Sequence, residues 1–437
     1  MAERTRIRIG LVLAAFVGLC GVSALGAAES APSGFVVETF ATGLNGPVAI
    51  AFAPDGRLFV GERSGGIRIV DRGRVLTDSF ADIQVHDFFE SGLLGLAVSP
   101  NFERDGFVYA FATVTPEEQE IVRYRYDGRV GVDRTVIKRS LPTGGAFHNG
   151  GGMAFGPDGM LYFSIGDNTQ RDNAQSLNTL AGKISRITPD GDTPSDNPFT
   201  TPTGAPQAIW AMGFRNPFRF CFAPDGRLFS IDVGSDGFFR REEINLVARG
   251  ANHGWPIVEG FSGDATSADA FTDPIYTYHE EGSAPCGIVC YSGENFPAEY
   301  AGNLFHVEYT LERIYRVTLN GDNVVSHELF VDAQGGPVDL TQGPDGALYY
   351  CELIGGRVMR VRSADNTSGL IPIDPDSAPD NVGGGNGNEN DNDKGESGDG
   401  PDVVIAPAGC ASGLPLFFAA SLLGVVGVRR RRRIRWE

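Results

Sequence analysis

Short runs of apolar and alternating residues, separated by turns, fill the chain from about residue 32 to 361. Runs such as RLFVGE and MLYFSI are typical of β-strands, in which every second side chain lies on the same face. The chain also contains 59 glycines and 26 prolines, residues that favour turns over long helices. This pattern predicts an all-β fold.

One phrase recurs at the start of these runs. It reads FAPDGRLFVGER from Phe52, FGPDGMLYFSIGD from Phe155, FAPDGRLFSIDVG from Phe222 and QGPDGALYYCEL from Gln342. Two looser copies, SPNFERDGFVYAFAT and YAGNLFHVEYTLERIYRV, begin at Ser99 and Tyr300. In the strict copies the proline presets φ at the first turn position and the glycine accepts a positive φ. Each phrase therefore predicts a turn that leads into a strand.

The number of copies predicts the architecture. Six copies over about 330 residues give roughly 55 residues per unit, close to the length of a four-stranded propeller blade. A parallel β-helix would need shorter and stricter repeats, and a β-sandwich would not repeat one phrase six times. We therefore predict a six-bladed β-propeller over residues 32–362.

The two ends of the chain differ in composition from the repeats. Residues 1–28 combine arginines with an apolar run and small residues, which predicts a secretory signal peptide. Residues 363–402 are acidic and rich in glycine, which predicts a disordered linker. Residues 403–437 combine an uncharged stretch with a cluster of arginines, which predicts a transmembrane anchor and resembles the sorting signals of bacterial surface proteins. The protein is thus expected to be exported, to the periplasm or the cell surface, and tethered through its C-terminus.

The charge and the cysteine content limit the partners, disulfides and metal sites that we expect. The formal charge of −19 would repel the phosphates of nucleic acid, so we expect no nucleic-acid partner. In an oxidising compartment, Cys286 and Cys290 are candidates for a small disulfide loop, CGIVC. Cys221 and Cys351 are expected to be buried thiols or a second pair. A metal site would need a second Cys/His pair at matching spacing.

Three polar stretches lie just outside the predicted strands, where a propeller places the loops at the ends of its central channel. They contain His148 with Asn149, Arg215 with Asn216, and the loop VGSDG from Val233. His148 and Arg215 precede PDG phrases at corresponding distances, so we expect them to converge. A neutral imidazole accepts a proton and a guanidinium holds negative charge, which indicates proton removal from a hydroxyl. A loop histidine and an arginine–carboxylate pair between blades would leave the same pattern.

Three glycines, Gly150 to Gly152, directly follow this histidine loop. We interpret them as clearance that lets a flat ligand approach the backbone beside His148. The simpler alternative is that the glycines let the loop turn sharply.

Four motifs together resemble the glucose/sorbosone dehydrogenase family, the soluble aldose sugar dehydrogenases that use pyrroloquinoline quinone. They read ESGLLGLAVSPNF, HNGGGMAFGPDGMLYFSIGD, GFRNPFRFCFAPDGRLFSIDVGSDG and EEINLVARGANHGWP, and they follow the order of the family over nearly all of residues 32–361. The resemblance implies a six-bladed propeller, in agreement with the repeat count. It also implies oxidation of the anomeric hydroxyl of an aldose sugar to the lactone, with an external electron acceptor.

The resemblance also implies roles for individual residues. His148 would take the proton of the hydroxyl as general base. The residues that it places at the quinone are Glu90, Asn149, Arg215 and Asn216. Calcium, bound by main-chain oxygens of Gly234 and Ser235 and by the quinone itself, would act as a Lewis acid.

The chain departs from the family pattern at several places. Glu90 stands where the quinone enzymes have glutamine, and it would add a negative charge beside a tricarboxylate cofactor. Phe147 stands where an aspartate commonly precedes the histidine, and the last blade, DAQGGPVDLTQGPDG, lacks the arginines that hold the cofactor. Two hypotheses follow. One is a tethered, quinone-dependent aldose dehydrogenase; the other is a non-catalytic surface propeller that binds carbohydrate or protein.

Overall fold

The computed structural model describes residues 29–374, except for 202, 205–206, 238–239 and 264–270. Six antiparallel sheets follow one another along these residues, and their first strands contact one another in a ring. This arrangement is a six-bladed β-propeller, so the predicted fold class is confirmed. The predicted signal peptide, the predicted linker beyond residue 374 and the predicted anchor lie outside the described residues. Within the described part of the chain, no helix is long and apolar enough to cross a membrane.

The two ends of the described chain meet in one sheet. The first strand, β1 (Phe35–Ala41), pairs antiparallel with the last strand, β25 (Arg357–Ser363). In this way β1 becomes the outer strand of blade 6, and backbone hydrogen bonds between distant parts of the chain close the ring.

The remaining strands follow the chain in order from blade 1 to blade 6. Blade 1 contains β2 (Pro47–Phe52), β3 (Leu58–Glu62), β4 (Gly66–Asp71), β5 (Arg74–Val75) and β6 (Ala81–Asp82). Blade 2 contains β7 (Leu93–Val98), β8 (Phe107–Thr115), β9 (Glu118–Tyr126) and β10 (Gly131–Leu141). Blade 3 contains β11 (Met153–Phe155), β12 (Leu161–Ile165), β13 (Lys183–Ile187) and β14 (Ile209–Met212).

The other three blades are built in the same way. Blade 4 contains β15 (Arg219–Phe222), β16 (Leu228–Asp232), β17 (Glu242–Leu246) and β18 (Tyr276–Tyr278). Blade 5 contains β19 (Pro285–Cys290), β20 (Leu304–Glu308), β21 (Arg313–Asn320) and β22 (Asn323–Asp332). Blade 6 contains β23 (Pro337–Gln342), β24 (Leu348–Glu352), β25 and β1. The described helical segments are short and lie in loops, namely α1 (Phe102–Asp105) and the 3-10 turns Arg171–Gln175 and Ala298–Tyr300.

Each PDG phrase forms the turn between the first and second strands of its blade. In the first copy, the backbone N–H of Gly56 donates to the carbonyl oxygen of Ala53 at 3.0 Å, and the other three strict copies repeat this bond. All of these turns lie at one end of the propeller, which we call the turn face. At the opposite end, the site face, the chain enters each first strand and passes from the second strand to the third. The two halves of the sequence FHNGGGMAFGPDG therefore belong to opposite ends of the molecule.

A buried ion pair crosses the axis of the propeller. Nε of Arg219, in β15, donates to Oδ1 of Asp339, in β23, at 3.0 Å. Nη2 of Arg219 donates to the carbonyl oxygens of Val48, in β2, and Leu94, in β7, each at 2.8 Å. Asp339 also accepts the backbone N–H of Ile50 at 3.0 Å. One guanidinium thus joins the first strands of four blades.

The predicted disulfide is wrong, because the four described cysteines are all free thiols. Cys286 and Cys290 both lie on β19, four residues apart. A strand rises about 3.3 Å per residue, so their Cα atoms are much further apart than a disulfide allows. Cys221 and Cys351 are buried in β15 and β24, as free thiols.

Residues 364–374 contact the propeller, although the disordered linker was expected to begin at residue 363. Leu370, Ile371 and Ile373 pack against the hydrophobic core. The backbone N–H of Asp374 donates to the carbonyl oxygen of Arg72 at 2.8 Å, on the turn face. The difference arises because residues 370–373, LIPI, are apolar and pack against the core, whereas the residues after 374 are polar.

Candidate active site

The imidazole of His148 lies on the site face, in the loop that enters β11. Its Nδ1 lies 2.6 Å from Oδ1 of Asp167, which follows β12 in the same blade. Oδ2 of Asp167 accepts the indole N–H of Trp255 at 2.9 Å, and Oδ1 accepts the backbone N–H of Thr169 at 2.8 Å. Burial alone would raise the pKa of Asp167, but the hydrogen bonds and charge of His148, together with Trp255, lower it below its usual value.

These contacts fix both the orientation and the tautomer of the imidazole. An ionised carboxylate only accepts hydrogen bonds, so Nδ1 of His148 must carry the hydrogen. In the neutral imidazole, Nε2 then carries the lone pair, and it has no hydrogen-bond partner among the described residues. The ring is therefore held as a proton acceptor at the site face.

Arg215 and Asn216 lie beside the histidine loop, in the loop that enters β15. Their backbone N–H groups donate to the two carboxylate oxygens of Asp232, at 2.9 and 2.6 Å. The carbonyl oxygen of Arg215 accepts the N–H of Asp167 at 2.7 Å, and Oδ1 of Asn216 accepts the N–H of Gly150 at 3.2 Å. These bonds bring His148, Arg215 and Asn216 together, although 67 positions separate the first two in sequence.

Two cations flank the buried indole of Trp255. The guanidinium of Arg215 lies 5.8 Å from the ring centroid, and that of Arg171 lies 4.6 Å from it. Nη1 of Arg215 donates to the carbonyl oxygen of Val233 at 3.2 Å, and Nη2 lies 3.7 Å from a carboxylate oxygen of Asp236. The guanidinium of Arg215 is largely buried, so that solvent screens its charge only weakly.

Glu90 holds the backbone of the histidine loop. Its Oε2 accepts the N–H of His148 at 2.8 Å. Burial raises the pKa of Glu90, against the opposing effects of the His148 hydrogen bond and of the Arg215 charge. Glu90 is therefore less ionised at a given pH than an exposed glutamate.

Asn149 shapes the same loop from inside. Its Oδ1 accepts hydrogen bonds from Oγ1 of Thr143 at 2.8 Å and from the N–H of Gly144 at 3.0 Å. Its Nδ2 donates to Oγ of Ser91 at 3.2 Å and to the carbonyl oxygen of Gly145 at 3.3 Å. Both ends of the buried amide are occupied within the loop, so this geometry favours a positioning role over contact with a cofactor.

Gly234 and Ser235 follow β16 on the same face. Their N–H groups donate to Glu242 and Glu259, each at 2.7 Å. Their carbonyl oxygens make no hydrogen bonds among the described residues, which leaves hard oxygen ligands available. Across the described ranges, no group of three or more His, Cys, Asp or Glu side chains is arranged to hold a metal ion.

The three glycines after His148 pack against neighbouring strands, and the interpretation of clearance for a flat ligand is wrong. A Cβ on Gly150 would lie 2.5 Å from the carbonyl oxygen of Ser164, and one on Gly151 would lie 2.6 Å from Cβ of Leu94. Gly152 is equally close to Oγ of Ser164. The missing side chains face β12 and β7, so the glycines bring the histidine loop close to the sheets.

Replacement of Gly150 by alanine should therefore destabilise the fold by about 1–3 kcal/mol more than replacement of Gly159. Both glycines have a positive φ, 68° and 73°, so the conformational cost of alanine is similar. A Cβ on Gly159 meets nothing within 4 Å, so only Gly150→Ala adds a steric clash. Urea unfolding of the two variants measures the difference. Equal destabilisation would show that the loop has room and that the close packing is not required.

Strained backbone is concentrated at this site. Phe89, His148, Asn168 and Thr169 have φ between 54° and 60°, and they make up four of the eight described non-glycine residues with positive φ. Each such residue costs about 1 kcal/mol or more and persists only where the surrounding contacts enforce it. Such clustering is typical of a functional site.

Asp167 was not predicted as a site residue, although a signal for it exists in the repeats. Four second strands end on a carboxylate that lies at the site face: Glu62, Asp232, Glu308 and Glu352. Blade 3 has Ile165 at that position, and its carboxylate comes two residues later, as Asp167. Burial raises the pKa of Asp232 to about 7 and that of Glu308 to about 8. The phrase FGPDGMLYFSIGD ends on Asp167. A comparison of the carboxylates at the ends of the second strands would therefore have placed a carboxylate near His148.

The propeller and its site together define a family. The chain belongs to the glucose/sorbosone dehydrogenase family, whose sequence model matches residues 44–360. The match includes blades 1 to 5, the part of blade 6 from β23 to residue 360, and every candidate site residue.

Individual relatives show what the chain is similar to. It is 30% identical over 353 residues to aldose sugar dehydrogenase YliI of Escherichia coli (strain K12), a match that covers 76% of this chain and 92% of that protein. The PQQ-bound aldose sugar dehydrogenase of Streptomyces coelicolor superimposes with a TM-score of 0.65 at 30% identity, over 76% of this chain and 99% of that one. Human Hedgehog-interacting protein is 29% identical over 219 residues, which are 42% of this chain and 31% of that protein. At the level of the family, these matches support an oxidoreductase of the PQQ-dependent sugar dehydrogenase type.

Proposed function

We propose that the protein oxidises the anomeric hydroxyl of an aldose to the lactone, with His148 as the general base. The observation that carries this proposal is the orientation of the imidazole. Asp167 holds Nδ1, so Nε2 is available to take the hydroxyl proton of a sugar on the site face. When bound, pyrroloquinoline quinone (PQQ) would supply the acceptor for the hydride, that is, the hydrogen of the anomeric carbon with its two electrons.

The side of the site formed by blades 3 and 4 fits a planar anionic cofactor. The largely buried guanidinium of Arg215 provides positive charge, and Nδ2 of Asn216 has no hydrogen-bond partner among the described residues. The buried indole of Trp255 contacts both Arg215 and Arg171 and so helps to position their guanidinium groups. The N–H of His148 and the charge of Arg215 offset part of the negative charge that Glu90 brings to the site. We propose that Arg215 and Asn216 bind the quinone oxygens.

The side formed by blade 6 provides fewer contacts for such a cofactor. Gly335 and Gly336 stand near the place of the arginines that the sugar dehydrogenases have there. A Cβ on Gly336 would lie 2.9 Å from the ring of Tyr309 and 3.3 Å from Ile354. Apolar and aromatic groups therefore surround this position, and we expect weaker quinone binding than in relatives that have the arginines.

Calcium is proposed at the Gly234–Ser235 loop. The available carbonyl oxygens of Gly234 and Ser235 are the hard ligands that calcium prefers. Glu242 and Glu259 hold the N–H groups of the same loop and fix its conformation. A bound calcium ion would act as a Lewis acid beside the cofactor.

A second function, that of a non-catalytic surface propeller, is favoured by blade 6. Its Ile354 is 73% exposed on the site face, near the position where the sugar dehydrogenases have cofactor-binding arginines. The relationship to Hedgehog-interacting protein also supports this alternative. For either function, the predicted signal peptide and C-terminal segment support export and tethering, which separation of membrane and soluble fractions would test.

The two functions are separated by one set of measurements on the purified full-length protein. We expect PQQ to bind in the presence of calcium, as followed by titration calorimetry, and aldoses to reduce a dye only when both are present. Chelation of calcium should abolish the dye reduction. Absence of quinone binding and of turnover on a broad panel of aldoses would overturn the enzymatic proposal and favour the non-catalytic one.

A further inference from the structure

Three exposed phenylalanines form a continuous row beside the candidate base. Phe147 is 37% exposed, Phe89 is 40% exposed and Phe88 is 53% exposed. The ring centroids of Phe147 and Phe89 lie 5.0 Å apart, and those of Phe89 and Phe88 lie 4.4 Å apart in an edge-to-face arrangement. We call these residues the phenylalanine row. It begins at the residue before His148 and extends away from it along the site face.

The backbone around the row is built to keep the rings in place. Nη1 of Arg63 donates to the carbonyl oxygens of Asp87 at 3.3 Å, Phe89 at 2.9 Å and Ser91 at 3.4 Å. Phe89 itself has a φ of 54°, a left-handed conformation that is unfavourable for a residue with a Cβ. Together with Phe147 on the histidine loop, the two phenylalanines of this strained and braced loop form an apolar patch of the kind that marks a binding site.

The row is joined to the candidate base through the backbone. Glu90 directly follows Phe89, and its carboxylate accepts the N–H of His148. This contact places the phenylalanine row beside the histidine loop on the site face.

The chemistry of the row favours neutral sugar rings. The face of a phenyl ring is weakly negative and attracts the weakly positive C–H groups on the flat side of a pyranose. Asp87 and Glu90 border the row, and the chain has a formal charge of −19, so an anionic ligand is disfavoured.

We propose that the phenylalanine row is a subsite for the sugar units that follow the reducing end of a neutral oligosaccharide. The reducing-end unit lies at His148, and the second and later units lie on the rings. This inference rests on the proposed function for the position of the reducing end, and it narrows the substrate class from aldoses in general to oligosaccharides.

The test compares Phe88→Ala with Phe261→Ala in the full-length protein. Phe261 is 57% exposed and belongs to a loop of blade 4, so it matches Phe88 in type and exposure. With PQQ and calcium present, we measure kcat/KM for glucose, cellobiose and cellotriose. The unmodified protein should prefer cellotriose to glucose. Phe88→Ala should lower kcat/KM for cellotriose about fivefold or more and leave glucose unchanged, as expected for the loss of one aromatic contact. Phe261→Ala should change neither.

A second measurement does not depend on turnover. Titration calorimetry with cellotriose reports binding in the absence of PQQ, and Phe88→Ala should weaken it. Binding that is lost in Phe88→Ala, in a protein that oxidises no aldose, would overturn the enzymatic proposal and support the subsite. An equal loss of kcat/KM for glucose and cellotriose would overturn the subsite, since the row would then only position His148. An effect confined to the KM of the dye would also overturn it and assign the row to the electron acceptor.

Discussion

Replacement of His148 by alanine should lower aldose-dependent dye reduction by about 10²- to 10⁴-fold, the range for loss of a general base. The loss should fall on kcat, because the imidazole acts on the reacting hydroxyl and the proposed quinone ligands are Arg215 and Asn216. Quinone affinity, measured by titration calorimetry, should change little. The experiment therefore separates a role in proton transfer from a role in cofactor binding.

Two further variants make this result specific. Asp167→Asn presents an amide to Nδ1 of His148, so that the imidazole can adopt the other tautomer; kcat should fall while quinone affinity is preserved. His279→Ala removes an exposed imidazole from another blade and should leave activity unchanged. Full activity of His148→Ala would show that another group takes the proton, and the proposed mechanism would be abandoned.

Replacement of Arg219 by leucine should lower the free energy of unfolding by about 3–5 kcal/mol, the range for breaking a buried ion pair. The substitution leaves the carboxylate of Asp339 buried without its partner and removes hydrogen bonds from the carbonyl oxygens of Val48 and Leu94. Urea unfolding, followed by tryptophan fluorescence, measures the change.

The matched control is Arg227→Leu. Arg227 pairs with Asp225 on the turn face, where both side chains are partly exposed, so its loss should cost about 1 kcal/mol or less. The double variant Arg219→Leu/Asp339→Leu should be more stable than Arg219→Leu alone, because no unpaired charge remains buried. Similar stability of Arg219→Leu and Arg227→Leu would contradict the importance of the axial ion pair.

The architecture could be predicted from the sequence because its signal is local and repeated. A proline, an aspartate and a glycine determine each turn, and the strand that follows is apolar enough to be recognised without tertiary information. The closure of blade 6 by β1 was not predicted, since β1 contains no copy of the phrase. Pairing of β1 with β25 depends on the position of the chain ends, which only the assembled ring determines.

The candidate site could be predicted in part. The equivalent positions of His148 and Arg215 in successive blades predicted that the two residues lie close together, because a propeller repeats its geometry. Trp255 reaches Asp167 across 88 positions in sequence, and no repeat encodes that contact. The glycines after His148 were misinterpreted because both a close strand and a flat ligand require a residue without a side chain. The spacing of Cys286 and Cys290 is likewise compatible with a loop or with a strand. Only the structure shows that both residues belong to β19.

The axial ion pair affects the end of the propeller from which ligands can reach the candidate base. The guanidinium of Arg219 bonds to the first strands of three other blades and lies across the axis at that level, so we expect the opening to the candidate base on the site face. In the proposed reaction, sugar, product and electron acceptor would share this opening. An excess of sugar should then slow the binding of the electron acceptor, and an excess of acceptor should slow the binding of the sugar. The kinetics should follow a ping-pong pattern, in which the lactone leaves before the acceptor binds.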